Sequence, residues 1–319
     1  MNIITVLFVL IALVLTMPAT TDAQETQQDA VRVTSNLVKL NVIVTDKQGR
    51  FVNGLKPDQF VVYDQNVRQE IAHFSAGAEP LSIAIIFEVH PESLQQVTAV
   101  LTALRQFVST LKEGDTFFFT AFSPEGSFTT GFVPSAKQVI DHLVSVKAGG
   151  PSSLYDVVYA ASAELRHAKN LKKSLLIVSD GNDYQSNCSF DEMRNRLQEF
   201  DAQIYTITIA GAGAEPIGNR HWMFEDFTRQ TGRRPFIWNS EEAFGRAVLA
   251  EISRVGGGGS TFSPEMETEP ELAAICSQIA LELKQQYTLG FYPKKTGTGK
   301  WHRLKVRIDA GNSDFSLWY

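Results

Sequence analysis

Leu81–Val97, LSIAIIFEVHPESLQQV, passes from a nearly all-apolar run through a short polar turn into an amphipathic stretch. An all-apolar run with no polar alternation is what a strand shows when both faces of its sheet are covered, as in parallel sheets. The continuation ESLQQVTAVLTALRQFVSTL places Leu94, Val97, Leu101, Leu104 and Val108 on one helical face. Strand followed by helix predicts a βα unit, and loops at the carboxyl ends of such strands are where ligands gather. Glu88, His90, Glu92 and Ser93 all stand in that turn.

Working outward, the same rhythm recurs. GDTFFFTAF (114–122), KSLLIVSDG (173–181) and AQIYTITIAG (202–211) are further buried strands, and FTTGFV (128–133) is a short edge strand. SAKQVIDHLVSV (135–146, with Ser135 as N-cap), SSLYDVVYAASAELRHA (152–168) and SFDEMRNRLQEF (189–200) are the intervening helices. Alternation at these lengths predicts α/β architecture, a doubly wound and mostly parallel sheet. A weak internal repeat follows: 224–244 resembles 249–272, which implies a duplicated α-β unit at the sheet edge.

The chain ends behave differently. NLVKLNVIVTD (36–46) alternates Leu37, Lys39 and Asn41 against Val38, Leu40 and Val42, a half-buried strand. DQFVVYDQNVRQEIAHFS (58–75) gives two short strands around a turn at DQN. After a last helix at about 270–286, QYTLGFYP and KWHRLKVRID alternate in the same way. The expected organisation is therefore a β module at 24–78, an α/β domain at 79–286, and C-terminal strands at 287–319 that pair with the N-terminal module. The apolar run at 2–18, followed by Thr21-Asp22-Ala23, is expected to be a signal peptide, 1–23, with an uncleaved anchor as the alternative because the run lacks a basic flank. The folded part is then extracytoplasmic, periplasmic or secreted, and no other segment of the mature chain could span a membrane.

Of 319 residues, 44% are hydrophobic and 20% charged, the balance of a globular protein. A net charge of −6 with scattered basic residues leaves no footprint for nucleic acid. The densest basic group, RHAKNLKK (166–173), is expected to be a solvated helix end. Cys188 and Cys276 would lie in an oxidising compartment, where a disulfide or two separate thiols are both open. AGAGAEP (210–216) lacks the third glycine of a dinucleotide loop, and neither a nucleophile elbow nor a Walker loop occurs. SDGNDYQSN (179–187) lacks the spacing of a calcium loop and is expected to be an Asp/Asn-rich turn. His221, Trp222, Met223 and Phe224 are expected to pack at a helix entry, with partner contact as the alternative.

Several segments, in order, carry a family resemblance: NLVKLNVIVTDKQGRFVNGLKPDQFVVYDQNVRQEI, PLSIAIIFE, GGPSSLYDVVYAA, LLIVSDGND and LKQQYTLGFYP. Together they resemble the VWFA-related domain family of bacterial secreted proteins, first described in Acidobacteria. The resemblance implies a von Willebrand factor A-type (VWA) domain flanked by a β module, an extracytoplasmic location and a binding role rather than an enzymatic one. It also implies where a metal-ion-dependent adhesion site would lie. In that pattern Glu88 falls at the first Asp, His90 and Glu92 at the two Ser positions, and Ser152 at the Thr position after an inserted Pro151. Asp180 keeps the final Asp.

Only Asp180 is identical to the pattern. Glu88 is longer than Asp by a methylene, and the imidazole of His90 is a softer donor than Mg²⁺ accepts. Three readings of the cluster follow. The first is a degenerate site without cofactor, the second a retuned Mn²⁺ or Zn²⁺ site of Glu88, His90, Glu92 and Asp180, which a metal-dependent hydrolase would need, and the third an acid/base pair of Glu88 and Glu92 with His90. The expectation is the first: an exported binding protein whose partner, another protein or a cell-surface polymer, meets an edge that also holds Ser93, Ser153 and Asp183. A structural module of an envelope assembly that binds through its β domain is the alternative.

Overall fold

The computed structural model describes residues 37–77, 79–89, 94–110, 112–123, 126–133, 153–199, 202–209, 241–256, 269–294, 302–309 and 315–318. The expected signal segment, the helix expected at 135–146, AGAGAEP with the Trp222 cluster, and the link at 257–268 lie outside the described residues.

Strand β5 (Leu81–Glu88) is buried at every position. Leu81, Ile83, Ile85 and Phe87 face one core, and Ala84 and Ile86 face the other. β5 pairs in parallel with β6 (Thr116–Ser123) on one side and β8 (Lys172–Ser179) on the other. β9 (Gln203–Thr208) extends the parallel set beyond β8, and β7 (Gly126–Thr129) closes the opposite edge antiparallel to β6. The order β7-β6-β5-β8-β9 is that of a doubly wound sheet, so the α/β reading holds. Helices α1 (Leu94–Ser109) and α5 (Glu269–Gln285) cover one face through Leu104, Phe107, Val108, Leu272, Cys276 and Leu283. Helices α2 (Leu154–Arg166), α3 (Phe190–Gln198) and α4 (Glu241–Val255) cover the other through Leu154, Val158, Met193, Leu197, Val248 and Ile252. None of the described helices is long and apolar enough to cross a membrane.

The chain ends build two small antiparallel sheets. In one, β10 (Tyr287–Phe291) lies between β1 (Val38–Thr45) and β4 (Ile71–Ala76), and β12 (Ser316–Trp318) flanks β1. In the other, β2 (Phe60–Asp64) lies between β3 (Val67–Gln69) and β11 (Leu304–Ile308). The two sheets enclose a core that includes Val42, Phe60, Val62, Leu289 and Phe291. Residues 58–75, expected to supply two strands, supply three. Gln65 and Asn66 both take positive φ, closing a tight β2–β3 hairpin, and the chain changes sheets at Glu70 to begin β4. Alternation continues across that change, so periodicity alone cannot reveal it.

The sandwich adjoins the amino end of the parallel sheet through a seam of buried polar groups. Gln286 alone separates α5 from β10 and is fully buried; its amide donates to Gln203 Oε1 and to the Tyr205 hydroxyl at 3.1 Å. Gln203 donates in turn to the Asn41 carbonyl at 3.4 Å, and Lys39 Nζ donates to the Leu171 carbonyl at 3.0 Å. Lys172, within the basic group expected to be solvated, is instead 3% exposed. It opens β8 and turns inward, donating to the Leu283 carbonyl at the end of α5, where a helix terminus favours a cation. Burial lowers its ammonium to about 8, and Glu79 and Asp115 offset part of that fall. The two cysteines are unpaired: Cys276 lies on the buried face of α5, and Cys188 packs against the core on the opposite sheet face.

Candidate functional site

Between β5 and β8 the winding of the sheet reverses, because the chain goes from β5 to β6 on one side and later crosses to β8 on the other. Loops at the carboxyl ends of strands on either side of such a reversal splay apart and leave a crevice. Glu88, the last residue of β5, stands there and is 1% exposed. Its Oε2 accepts the Ser179 hydroxyl at 2.6 Å and the Asp180 amide at 3.2 Å, tying the end of β5 to the end of β8. A buried carboxylate needs such donors, and charge-assisted bonds of this kind are the stronger class.

The chain then folds onto itself. Ser179 Oγ accepts the Gly181 amide at 2.9 Å, and Asp180 Oδ1 accepts the Asn182 amide at 2.8 Å. Gly181 takes a φ of +82°, a conformation that favours glycine. A Cβ there would collide with the backbone of Gly245 in α4, and a Cβ at Gly245 would collide with the Asp180 carbonyl oxygen. The two glycines thus let a helix backbone pack directly on the loop.

Asp183 is buried at the foot of α2. One oxygen accepts the Tyr155 amide at 3.0 Å and the Ser186 hydroxyl at 2.5 Å, and the other accepts the Ser186 amide at 3.3 Å. Burial raises its carboxyl above the ordinary aspartate value, against the lowering effect of those donors. Ser153 occupies the N-cap of α2 without a side-chain cap bond, so Asp183 supplies that helix start with its acceptor from across the loop. Asp156, in the first turn of α2, does the converse. Its carboxylate accepts the Asn187 amide at 2.9 Å, the Asn187 side chain at 3.1 Å and the Cys188 amide at 2.9 Å. Burial opposes ionisation of Asp156, yet those donors hold it below the usual aspartate value. Ser189 and Glu192 then form the capping box that starts α3.

Of the expected site residues, Glu88, Ser153, Asp180 and Asp183 fall within this edge, whereas His90, Glu92, Ser93 and Ser152 lie outside the described residues. Glu88 and Asp180 meet directly; Asp183 bonds the Tyr155 amide in the first turn of α2, the helix whose N-cap is Ser153. Among the described residues no group of three or more His, Cys, Asp or Glu side chains could hold a metal ion. The sequence reading did not single out Ser179, Asp156, Ser186 or Gly245. Gly245 alone left a trace, as an isolated glycine inside the helical pattern EEAFGRAV.

No family model matches the chain. An uncharacterised protein of Borreliella burgdorferi is 24% identical over 202 residues, which is 60% of this chain. The match spans 55% of that relative's length. Among solved structures, the chain is similar to a von Willebrand factor type A protein from Catenulispora acidiphila, with 10% identity and a TM-score of 0.47 over 89% of this chain and 72% of that one. It is also similar to the conserved hypothetical protein BatB from Bacteroides thetaiotaomicron, with 14% identity and a TM-score of 0.44 over 64% and 99%. A third similarity is to the vWF domain of the type V pili tip protein Mfa5 from Porphyromonas gingivalis, with 8% identity and a TM-score of 0.45 over 64% and 94%. The α/β part is a doubly wound sheet closed by an antiparallel edge strand.

Proposed function

We propose that this chain is an extracytoplasmic, non-enzymatic binding protein that engages another protein or a surface polymer through the carboxyl edge of its parallel sheet, without a resident Mg²⁺. The observation that carries this reading is the Glu88 bridge. At the position the family pattern gives to a metal-ligating Asp, a longer carboxylate reaches across to Ser179 and the Asp180 amide. Hydrogen bonds thereby hold together two loops that a cation would otherwise join. Hydrolysis is disfavoured because the described carboxylates of this edge serve as acceptors for loop amides and hydroxyls rather than facing a nucleophile.

Two measurements test the proposal. Thermal unfolding of the purified chain with Mg²⁺, Mn²⁺ or Zn²⁺ in excess is expected to shift by no more than about 1 °C; a rise of several degrees would show a bound ion and overturn the metal-free reading. Capture of partners from envelope extract is expected to fall about tenfold with Asp180→Asn, which keeps the Oδ1 acceptor for Asn182. Unchanged capture would remove this edge as the binding face.

A second reading, attachment through the β sandwich, is favoured by one feature. An open groove of about 470 Å³ lies beside Phe60 and Ile71, rimmed by Asp58, Glu70, Arg68 and Lys294. Loss of capture with Arg68→Ala and Lys294→Ala, alongside unchanged capture with Asp180→Asn, would select it.

A further inference from the structure

The loop after β8 and the start of α2 exchange carboxylates. Asp183 leaves the loop to accept the Tyr155 amide of the helix, and Asp156 leaves the helix to accept the Asn187 and Cys188 amides of the loop. Ser186 joins the two limbs: its hydroxyl donates to Asp183, and its oxygen accepts the Asp156 amide at 3.0 Å. Neither limb is a local turn, because each joins residues about a helix-and-strand apart in the chain, 28 and 31 positions respectively. On the far side of the loop, Gly245 of α4 lies against the Asp180 carbonyl and leaves that backbone no room to move inward.

We infer that Asp156 and Gly245 are positioning residues for the binding edge, acting as two jaws that hold the Asp180–Ser189 loop in one shape before any partner arrives. The inference rests on the reading of this edge as the binding face. Its physical basis is that a loop ordered in advance loses less conformational freedom on binding, so its contacts convert more fully into affinity. Asp156 acts through the Asn187 and Cys188 amides, and Gly245 acts through the backbone of Asp180 and Gly181. Neither needs to touch the partner. The two jaws also differ in kind. One is a directional, charge-assisted clasp, and the other is a close backbone contact that any side chain at position 245 would spoil.

Hydrogen exchange on the full chain tests this without a ligand. With Asp156→Ala, the amides of Asn187 and Cys188 both lose their acceptor and are expected to exchange about tenfold faster or more. The decisive amides are Tyr155 and Asn182, which Asp156 does not touch: Tyr155 is held by Asp183, and Asn182 by Asp180. If the loop is held as one body, both accelerate with the first two, while the amides of Ile85 and Leu176 in the sheet keep their wild-type rates. Acceleration confined to Asn187 and Cys188 would reduce Asp156 to a local cap and overturn the inference. Gly245→Ala is expected to accelerate Asn182 most; should that variant fail to fold, Asp156→Ala alone decides. If all four amides accelerate but Asp180→Asn leaves envelope capture unchanged, the clasp stands and the binding reading falls.

Discussion

At the carboxyl end of the parallel sheet, the side chains that close the loops are carboxylates: Glu88 on Ser179 and the Asp180 amide, Asp183 on Tyr155, and Asp156 on Asn187 and Cys188. At the amino end lysines and amides take over, although Asp115 also accepts the Leu81 and Lys112 amides, each at 2.7 Å. Lys172 donates to the Leu283 carbonyl of α5, Lys173 to the Arg166 carbonyl of α2 at 2.6 Å, and Lys284 to the Thr110 carbonyl just past α1. The division follows the helices. In a βα-wound sheet, helix N-termini gather at the carboxyl end and expose N–H groups, and C-termini gather at the amino end and expose carbonyls. The lysines of the amino end thus meet carbonyls that helix C-termini leave there, and the carboxylates of the carboxyl end meet helix and loop amides.

The two ends also differ in reach. The amino-end bonds join Lys39 to Leu171, Gln203 to Asn41 and Lys172 to Leu283, across 132, 162 and 111 positions. The first two stitch the sandwich to the α/β layers, and the third ties β8 to α5. Most carboxyl-end bonds stay within one loop and its neighbouring helix, and only Glu88 reaches across 91 positions. One end assembles the molecule and the other shapes a surface.

The sharpest way to break this comparison is Gly245→Ala, which drives a methyl group into the Asp180 carbonyl. Overpacking at a backbone contact is expected to cost about 3 kcal/mol, measured by urea unfolding. A loss below about 0.5 kcal/mol would mean that α4 can shift away and does not set the loop.

The amino end is probed by pH. Lys172 has a folded value near 8, below its unfolded 10.5, so between those limits the folded state binds fewer protons than the unfolded one. Its contribution to stability therefore rises with pH across that window, by up to roughly 3 kcal/mol. Lys172→Met is expected to flatten the rise; an identical pH profile in the variant would show that the ammonium is not the cause.

Glu88→Ala should cost about 2 kcal/mol, because it strands the Ser179 hydroxyl and the Asp180 amide in a buried setting. Glu88→Gln, which keeps an acceptor, should cost about half as much. Equal losses would mean that side-chain volume matters more than the bridge. The smallest effect belongs to Asp156, whose folded value lies below the ordinary 3.8. Its contribution is present above that value and fades as pH falls through and below it, by less than about 1 kcal/mol given its partial exposure. Asp156→Asn should remove only that acid limb of the stability profile, read by unfolding at pH 3 to 5 in matched salt.

The class of the fold was legible because β5 is apolar on both faces, a pattern that half-covered strands do not produce. The change of sheet at Glu70 was not, since more exposed and less exposed positions alternate straight through it from Arg68 to His73. Lys172 was misread for a related reason: a basic cluster signals solvation on average, and only the position of the α5 carbonyls draws this one lysine inward. In the candidate edge, Glu88 and Asp180 could be singled out because a family pattern names their positions. Asp156 and Ser186 could not, because their chemistry exists only once α2 and the loop after β8 are adjacent.

The placement of β10 has a kinetic consequence. This strand belongs to the middle of its sheet, between β1 and β4, yet it is made long after both. During synthesis β1 and β4 wait without their common neighbour while the βα units between them can already collapse on local contacts. The sandwich is thus the last part to close, and a chain broken between Ala76 and Tyr287 would leave β1 without β10 and β12, β4 without β10 and β2 without β11, their edges uncovered.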